Sequence, residues 1–211
     1  MKKIISILFG ASLLFAASAQ AAGMVGVKIG QGELSGESDA YTAGGTSVAA
    51  QSGDSSNTYA AIFAEVNVGA AEGLSLGLEY IPFTATIRLD KGESSSGADV
   101  DDATTLYALY AKEAGEGSVY VKAGYFMADI GTVKQDSATT VNSQDDTLEG
   151  PMVGIGFQTG ETANGIILRV EATHTELDDV SITTTSNGSS SVKKTADGEI
   201  TTFSVSFAKA F

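Results

Sequence analysis

Six charged residues are conspicuous for the company they keep. Lys28 lies between Gly26 and Gly30, Glu79 follows Gly77, Lys122 precedes Gly124, Arg169 and Glu171 sit two apart, and Glu65 interrupts an apolar run. Each falls on the polar parity of a stretch whose alternate positions are apolar, so in a strand the charge points to one face and the Val, Ile or Leu neighbours to the other. Lysine, arginine and glutamate turned into one confined space have two uses. They neutralise one another in an ion-pair network, where an unpaired member is costly, or they line a narrow path for ions. A second constellation is His174, the only histidine, two residues before Glu176. A nucleophile-and-base site needs an activated hydroxyl within hydrogen-bond reach of such a histidine; the plainer reading is a side chain at an apolar–polar boundary. Asp99, Asp101 and Asp102, Asp145 and Asp146, and Asp178 and Asp179 form acidic clusters. Calcium favours several oxygens, so weak divalent binding is open to them, but no twelve-residue calcium pattern occurs and solvated loops explain them as well. The expectation is a chain with no enzymatic activity, no catalytic or metal-ligating set and no cofactor.

The elements that must hold these residues are short two-faced segments. Residues 24–31 set Val25, Val27 and Ile29 against Gly26, Lys28 and Gly30; residues 58–68 set Ile62, Ala64 and Val66 against Tyr59, Phe63 and Glu65. Residues 74–80 set Leu74, Leu76, Leu78 and Tyr80 against Gly77 and Glu79, and after Pro82 the parity inverts, which predicts a bulge. Residues 103–112 are the least clear, and their reading places Tyr107, Leu109 and Ala111 outward with Tyr110 and Lys112 inward. Residues 118–129 oppose Val119, Val121 and Tyr125 to Tyr120, Lys122 and Phe126; residues 148–158 oppose Val153, Ile155 and Phe157 to Met152, Gly154 and Gly156; residues 166–176 oppose Leu168, Val170 and Ala172 to Arg169 and Glu171. Residues 200–211 close the series, with Phe203, Val205, Phe207 and Phe211 on one parity and Ser204, Ser206 and Ala208 on the other. The seven connections alternate long and short, the long ones spanning residues 36–57, 90–102, 131–147 and 183–195. A meander between two unlike compartments requires that order.

Composition narrows the class. Lys2 and Lys3, an apolar run over residues 4–17 and Ala19-Gln20-Ala21 make a secretory signal peptide, with cleavage after Ala21 or Ala22 and mature domain 22–211. The formal charge of −14 falls to −16 when those two lysines leave, which makes nucleic acid a poor partner. Cysteine is absent, so stability must come from backbone pairing and packing; glycine is abundant at 25 and proline scarce at 2, and short two-faced segments between polar loops read as all-β.

The polar parity decides what surrounds the sheet. A water-facing strand carries long polar side chains throughout, whereas here glycines alternate with isolated charges, as the narrow interior of an eight-stranded barrel requires. Hydrocarbon therefore lies outside, with Tyr80, Tyr107, Tyr125 and Phe157 as interfacial aromatics. From the Ala-Gln-Ala site, the segment G-L-S-L-G-L-E-Y at 73–80 and the ending F-S-V-S-F-A-K-A-F, the mature chain resembles the small eight-stranded outer-membrane barrels of Gram-negative bacteria. That group, called OmpA-like, OmpX-like or porin family, includes the transmembrane domain of outer membrane protein A, outer membrane protein X and the opacity proteins. The resemblance implies an antiparallel up-and-down transmembrane β-barrel in the cell outer membrane, monomeric, at the cell surface. Its partners would be outer-membrane lipid and lipopolysaccharide, and the barrel-assembly machinery through Phe203, Val205, Phe207 and Phe211. Lys209 departs from that ending, where an aromatic is usual. The implied role is structural or surface-interacting, with a narrow pore and a lipid-A-modifying enzyme as alternatives.

Overall fold

The computed structural model describes residues 22–43, 46–69, 71–82, 85–91, 94–134, 139–144, 147–186 and 191–211, and the expected signal segment lies outside them. Among the described residues every regular element is a strand: β1 (Gly23–Ser38), β2 (Tyr41–Ala43), β3 (Thr46–Val48), β4 (Gln51–Asn67), β5 (Leu74–Ile81), β6 (Ala85–Lys91), β7 (Ser94–Ala114), β8 (Gly117–Lys134), β9 (Thr139–Gln144), β10 (Thr147–Thr159), β11 (Ile166–Ser186) and β12 (Val192–Ala210). The order β10-β8-β7-β5-β4-β1-β12-β11 returns on itself through β10–β11, so eight antiparallel strands form a ring. Two short strands prolong two of its lanes: β6 pairs β7 beyond β5, and β9 pairs β11 beyond β10. The two ends of the described chain close the seam, with Gly23 N–H donating to the Phe211 carbonyl at 3.2 Å and Phe211 N–H to that of Gly23 at 3.0 Å. Closure pairs the backbone groups that an edge strand would leave bare, a condition for crossing hydrocarbon.

Which face is buried follows from the pleat. Phe203 is 67 % exposed on the outer wall, while Lys122 on the inner wall is 4 % exposed. Val27, Ile29, Ile62, Leu106, Val121, Ile155 and Val170 share that exposed apolar band. In water such a band would drive aggregation; in hydrocarbon it is the correct solvent-facing surface. Ile155→Lys should therefore cost about 2–4 kcal/mol of unfolding free energy in lipid vesicles. Glu33→Lys, on the same face but beyond the band, should stay within about 0.5 kcal/mol; chemical denaturation of the two variants checks the contrast.

Two expectations are corrected. The long connections are largely strand, since β7 and β11 run to 21 residues each where about 9–11 suffice to span a bilayer. The excess escaped a two-faced reading because its polarity reverses. Outward positions turn from Ile29 to Gln31 and Glu33, and from Phe203 to Thr201 and Glu199, while the inward-parity partners Leu34 and Ile200 are apolar. There the barrel stands in water and keeps its apolar side chains inside, as any soluble sheet does. The bulge expected after Pro82 falls on residues outside those described. Among the described strands, register irregularities lie on β7, between Ala98 and Val100 and between Asp101 and Thr104 in its pairing with β8, and on β11, between Leu177 and Val180 and between Thr183 and Thr184. Finally, Tyr107 and Leu109 face inward and Leu106 and Tyr110 outward, the reverse of the expected facing. Apolar residues occupy both parities of this strand, so the register decides. It sets Tyr107 opposite Gly77 of β5 and Gly124 of β8, where the ring has room.

Candidate functional site: the charged lumen

The six charged residues come from β1, β4, β5, β8 and β11 of the ring, Arg169 and Glu171 sharing the last, and all six are buried. They divide into two groups. Lys28 Nζ donates to Glu79 Oε2 at 2.5 Å and to Glu171 Oε1 at 2.6 Å; Lys122 Nζ donates to the same two oxygens at 3.1 and 3.2 Å. Two cations thus alternate with two anions in a closed square. Below it, Arg169 holds Glu65 bidentately, Nη1 to Oε1 at 2.6 Å and Nη2 to Oε2 at 2.8 Å, the planar fork matching the carboxylate. Its Nε donates to Gln158 Oε1 at 2.8 Å. The formal charges of the six cancel, which is what makes their burial tolerable.

Two tyrosines join the groups, and nothing in their immediate sequence announced that role. Tyr107 Oη donates to Glu65 at 2.7 Å, while its ring lies 3.8 Å under Lys122 Nζ. Tyr120 Oη donates to Glu171 at 3.0 Å, and its ring centre is 5.3 Å from the Arg169 guanidinium. Each inner-wall aromatic of this layer sits directly across the ladder from a glycine: Phe63 opposite Gly26, Tyr59 opposite Gly30, Tyr107 opposite Gly77, Tyr120 opposite Gly156. A Cβ at Gly30 would fall 2.7 Å from the Tyr59 ring. Glycine on one strand is thus the socket for an aromatic on the next, the pairing known to rescue glycine in sheets. The signal was present as glycines alternating with charges, but it needed the register to be read. Around Lys28, Lys122, Arg169 and Glu171 no remaining space is wide enough to centre a water molecule.

The other residues singled out from the sequence lie elsewhere. Tyr125 and Phe157 are on the outer wall, and Tyr125 Oη donates to Asp178 at 3.1 Å. Tyr80 donates to Asp102, the one non-glycine residue with positive φ among the described residues, and Tyr107 is no interfacial aromatic, since it is buried in the lumen. Phe203, Val205, Phe207 and Phe211 are exposed on the outer wall of the closing strand, and Lys209 reaches the carbonyl of Asn164 in a turn. His174 is exposed, its Nδ1 3.1 Å from Thr201 Oγ1 and its Nε2 3.8 Å from Glu199; Glu176 points from the same face. Asp145 and Asp146 lie outside the described residues, and among those described no group of three His, Asp or Glu side chains is arranged to hold a metal.

No protein-family model matches the chain, and no curated protein matches it in sequence. Solved structures do match it in shape. The outer membrane protein OprG from Pseudomonas aeruginosa superposes with a TM-score of 0.65 at 16 % identity, over 90 % of this chain and 97 % of that one. The outer membrane protein AlkL, solved by solid-state NMR in DMPC lipid bilayers, gives 0.65 at 14 % identity, over 91 % and 90 %. The chain has the fold of the small eight-stranded outer-membrane β-barrels.

Proposed function

We propose that this chain is an integral outer-membrane barrel with a structural or surface-interacting role. Its lumen is sealed by the ionic plug, and an acidic, β-structured extension rises from the membrane. The observation that carries the reading is the division of polarity: an apolar band faces outward while six charges neutralise one another inside. A narrow ion pore is the less supported alternative, because the charged layer leaves no room for a hydrated ion. Two measurements test this. Detergent-extracted protein should migrate faster on a gel unboiled than boiled, and refolded protein in planar bilayers should show no steady conductance. Identical mobilities would remove the barrel assignment; a steady current that shifts on Glu79→Ala would replace the plug with a pore.

One observation supports a second reading. Above the plug four inward-facing side chains are apolar, Met152, Leu177, Leu34 and Ile200 on neighbouring strands, set among Thr173, Thr175 and Thr202. These four side chains offer contact to a small apolar molecule and none to an ion. A small aromatic fluorophore should then bind the refolded native barrel more tightly than Ile200→Asp, and equal affinities would dismiss it. Lipid-A modification at His174 is tested by mass spectra of lipid A from cells with the native chain and with His174→Ala; this reading expects identical spectra.

A further inference from the structure

The outer wall of a barrel in hydrocarbon is expected to be evenly convex, and this one is not. Where β10, β11, β12 and β1 run side by side, a trough of about 450 Å³ cuts into the apolar band. Its floor is Gly156 and Ala172; its walls are Phe157, Phe203, Ile29 and Ile155. The cause is one small side chain, for Ala172 lies directly opposite Phe203 on one side and Ile155 on the other. Counting about 30 Å³ for each water-sized group, the trough holds roughly fifteen of them, the scale of one long acyl chain.

Just above the trough the outer wall turns polar. The next outward pair beyond Ala172 and Phe203 on the same strands is His174 and Thr201, which hydrogen-bond each other at 3.1 Å, with Glu199 beside them. Glutamate at the rim disfavours a phosphate there, whereas the histidine and threonine offer both donors and acceptors to a neutral ester or hydroxyl. We propose that this trough seats a single acyl chain of a membrane lipid, with His174 and Thr201 hydrogen-bonding the uncharged linkage at its head. A second copy of this chain is the poorer occupant. A two-fold axis would set the trough against itself and leave it empty, and apolar surface gains nothing from protein contact when lipid is the solvent.

The proposal rests on the membrane placement given above, so the experiment reads the two separately. The full chain is refolded into phosphatidylcholine vesicles containing a phospholipid with a photoactivatable group in its acyl chain, and the covalent adducts are mapped by mass spectrometry. Adducts should concentrate several-fold on peptides bearing Ala172 and Phe203 over those bearing Leu78 and Leu106 on the opposite wall. Ala172→Phe, which fills the floor, should abolish that excess while keeping the heat-dependent gel shift. Even labelling around the band, or an excess that survives Ala172→Phe, would overturn the seat and leave the barrel standing. If Ala172→Phe does not fold, the native distribution decides by itself. Absence of acyl adducts anywhere on a chain without the gel shift would overturn the membrane placement instead.

Discussion

Arg169→Ala should destabilise the barrel by about 3–5 kcal/mol, the magnitude expected when one member of a buried pair is removed and the other is left charged. Glu65 is 2 % exposed, and both of its oxygens face the Arg169 fork. Without that fork its remaining partner is Tyr107 Oη, a neutral donor that does not balance an anion. The same side chain packs its guanidinium over Phe63 and Tyr120 at 5.6 and 5.3 Å, so truncation also opens space between two rings. Replacing both partners at once, as in Glu65→Leu with Arg169→Met, should recover most of the loss, because an apolar pair of similar volume leaves no orphaned charge. A double-mutant cycle in urea, read by the gel shift of the folded form in vesicles, measures the coupling. If Arg169→Ala lies within about 1 kcal/mol of the native chain, as exposed ion pairs do, then water reaches Glu65 and the sealed lumen is wrong.

How much of this could be read beforehand depends on where each stretch sits. Within the membrane band the two faces of a strand meet unlike media, so alternation is sharp, and residues such as Lys28 beside Val27 and Ile29 declare their facing. Above the band the inner and outer preferences exchange places. Glu33 and Glu199 then face out beside inward Leu34 and Ile200, and a pattern tuned to apolar-outside finds only a polar loop. β7 failed for another reason. Its run Leu106-Tyr107-Ala108-Leu109-Tyr110 has no polar parity, so hydropathy alone cannot orient it. The deciding fact, that Gly77 and Gly124 flank Tyr107, belongs to three strands together. Likewise, the sequence marks six charges as inward but cannot assign partners, because the square of Lys28, Glu79, Lys122 and Glu171 joins residues up to 143 positions apart. Such partners are set by shear and register, which single segments do not carry.

Gly77→Val should damage the filling of the lumen without adding or removing a charge. A Cβ at position 77 would fall 2.6 Å from Tyr107 Oη and against the ring itself, so the tyrosine must leave its socket. Overpacking of this kind costs about 1–3 kcal/mol. The displaced ring also gives up its hydrogen bond to Glu65, about 1.5–3 kcal/mol for a charged acceptor, and its place beneath Lys122. Tyr107→Phe isolates the hydrogen-bond part and should lose less than Gly77→Val. Gly69→Ala, where an added Cβ meets nothing within 4 Å, serves as the control and should be nearly silent. Combining Gly77→Val with Tyr107→Ala relieves the clash, so the pair should be more stable than the sum of the two single losses, a coupling visible in urea midpoints. Strict additivity would show that ring and glycine do not share one space, and with it would go the account of how the lumen is filled.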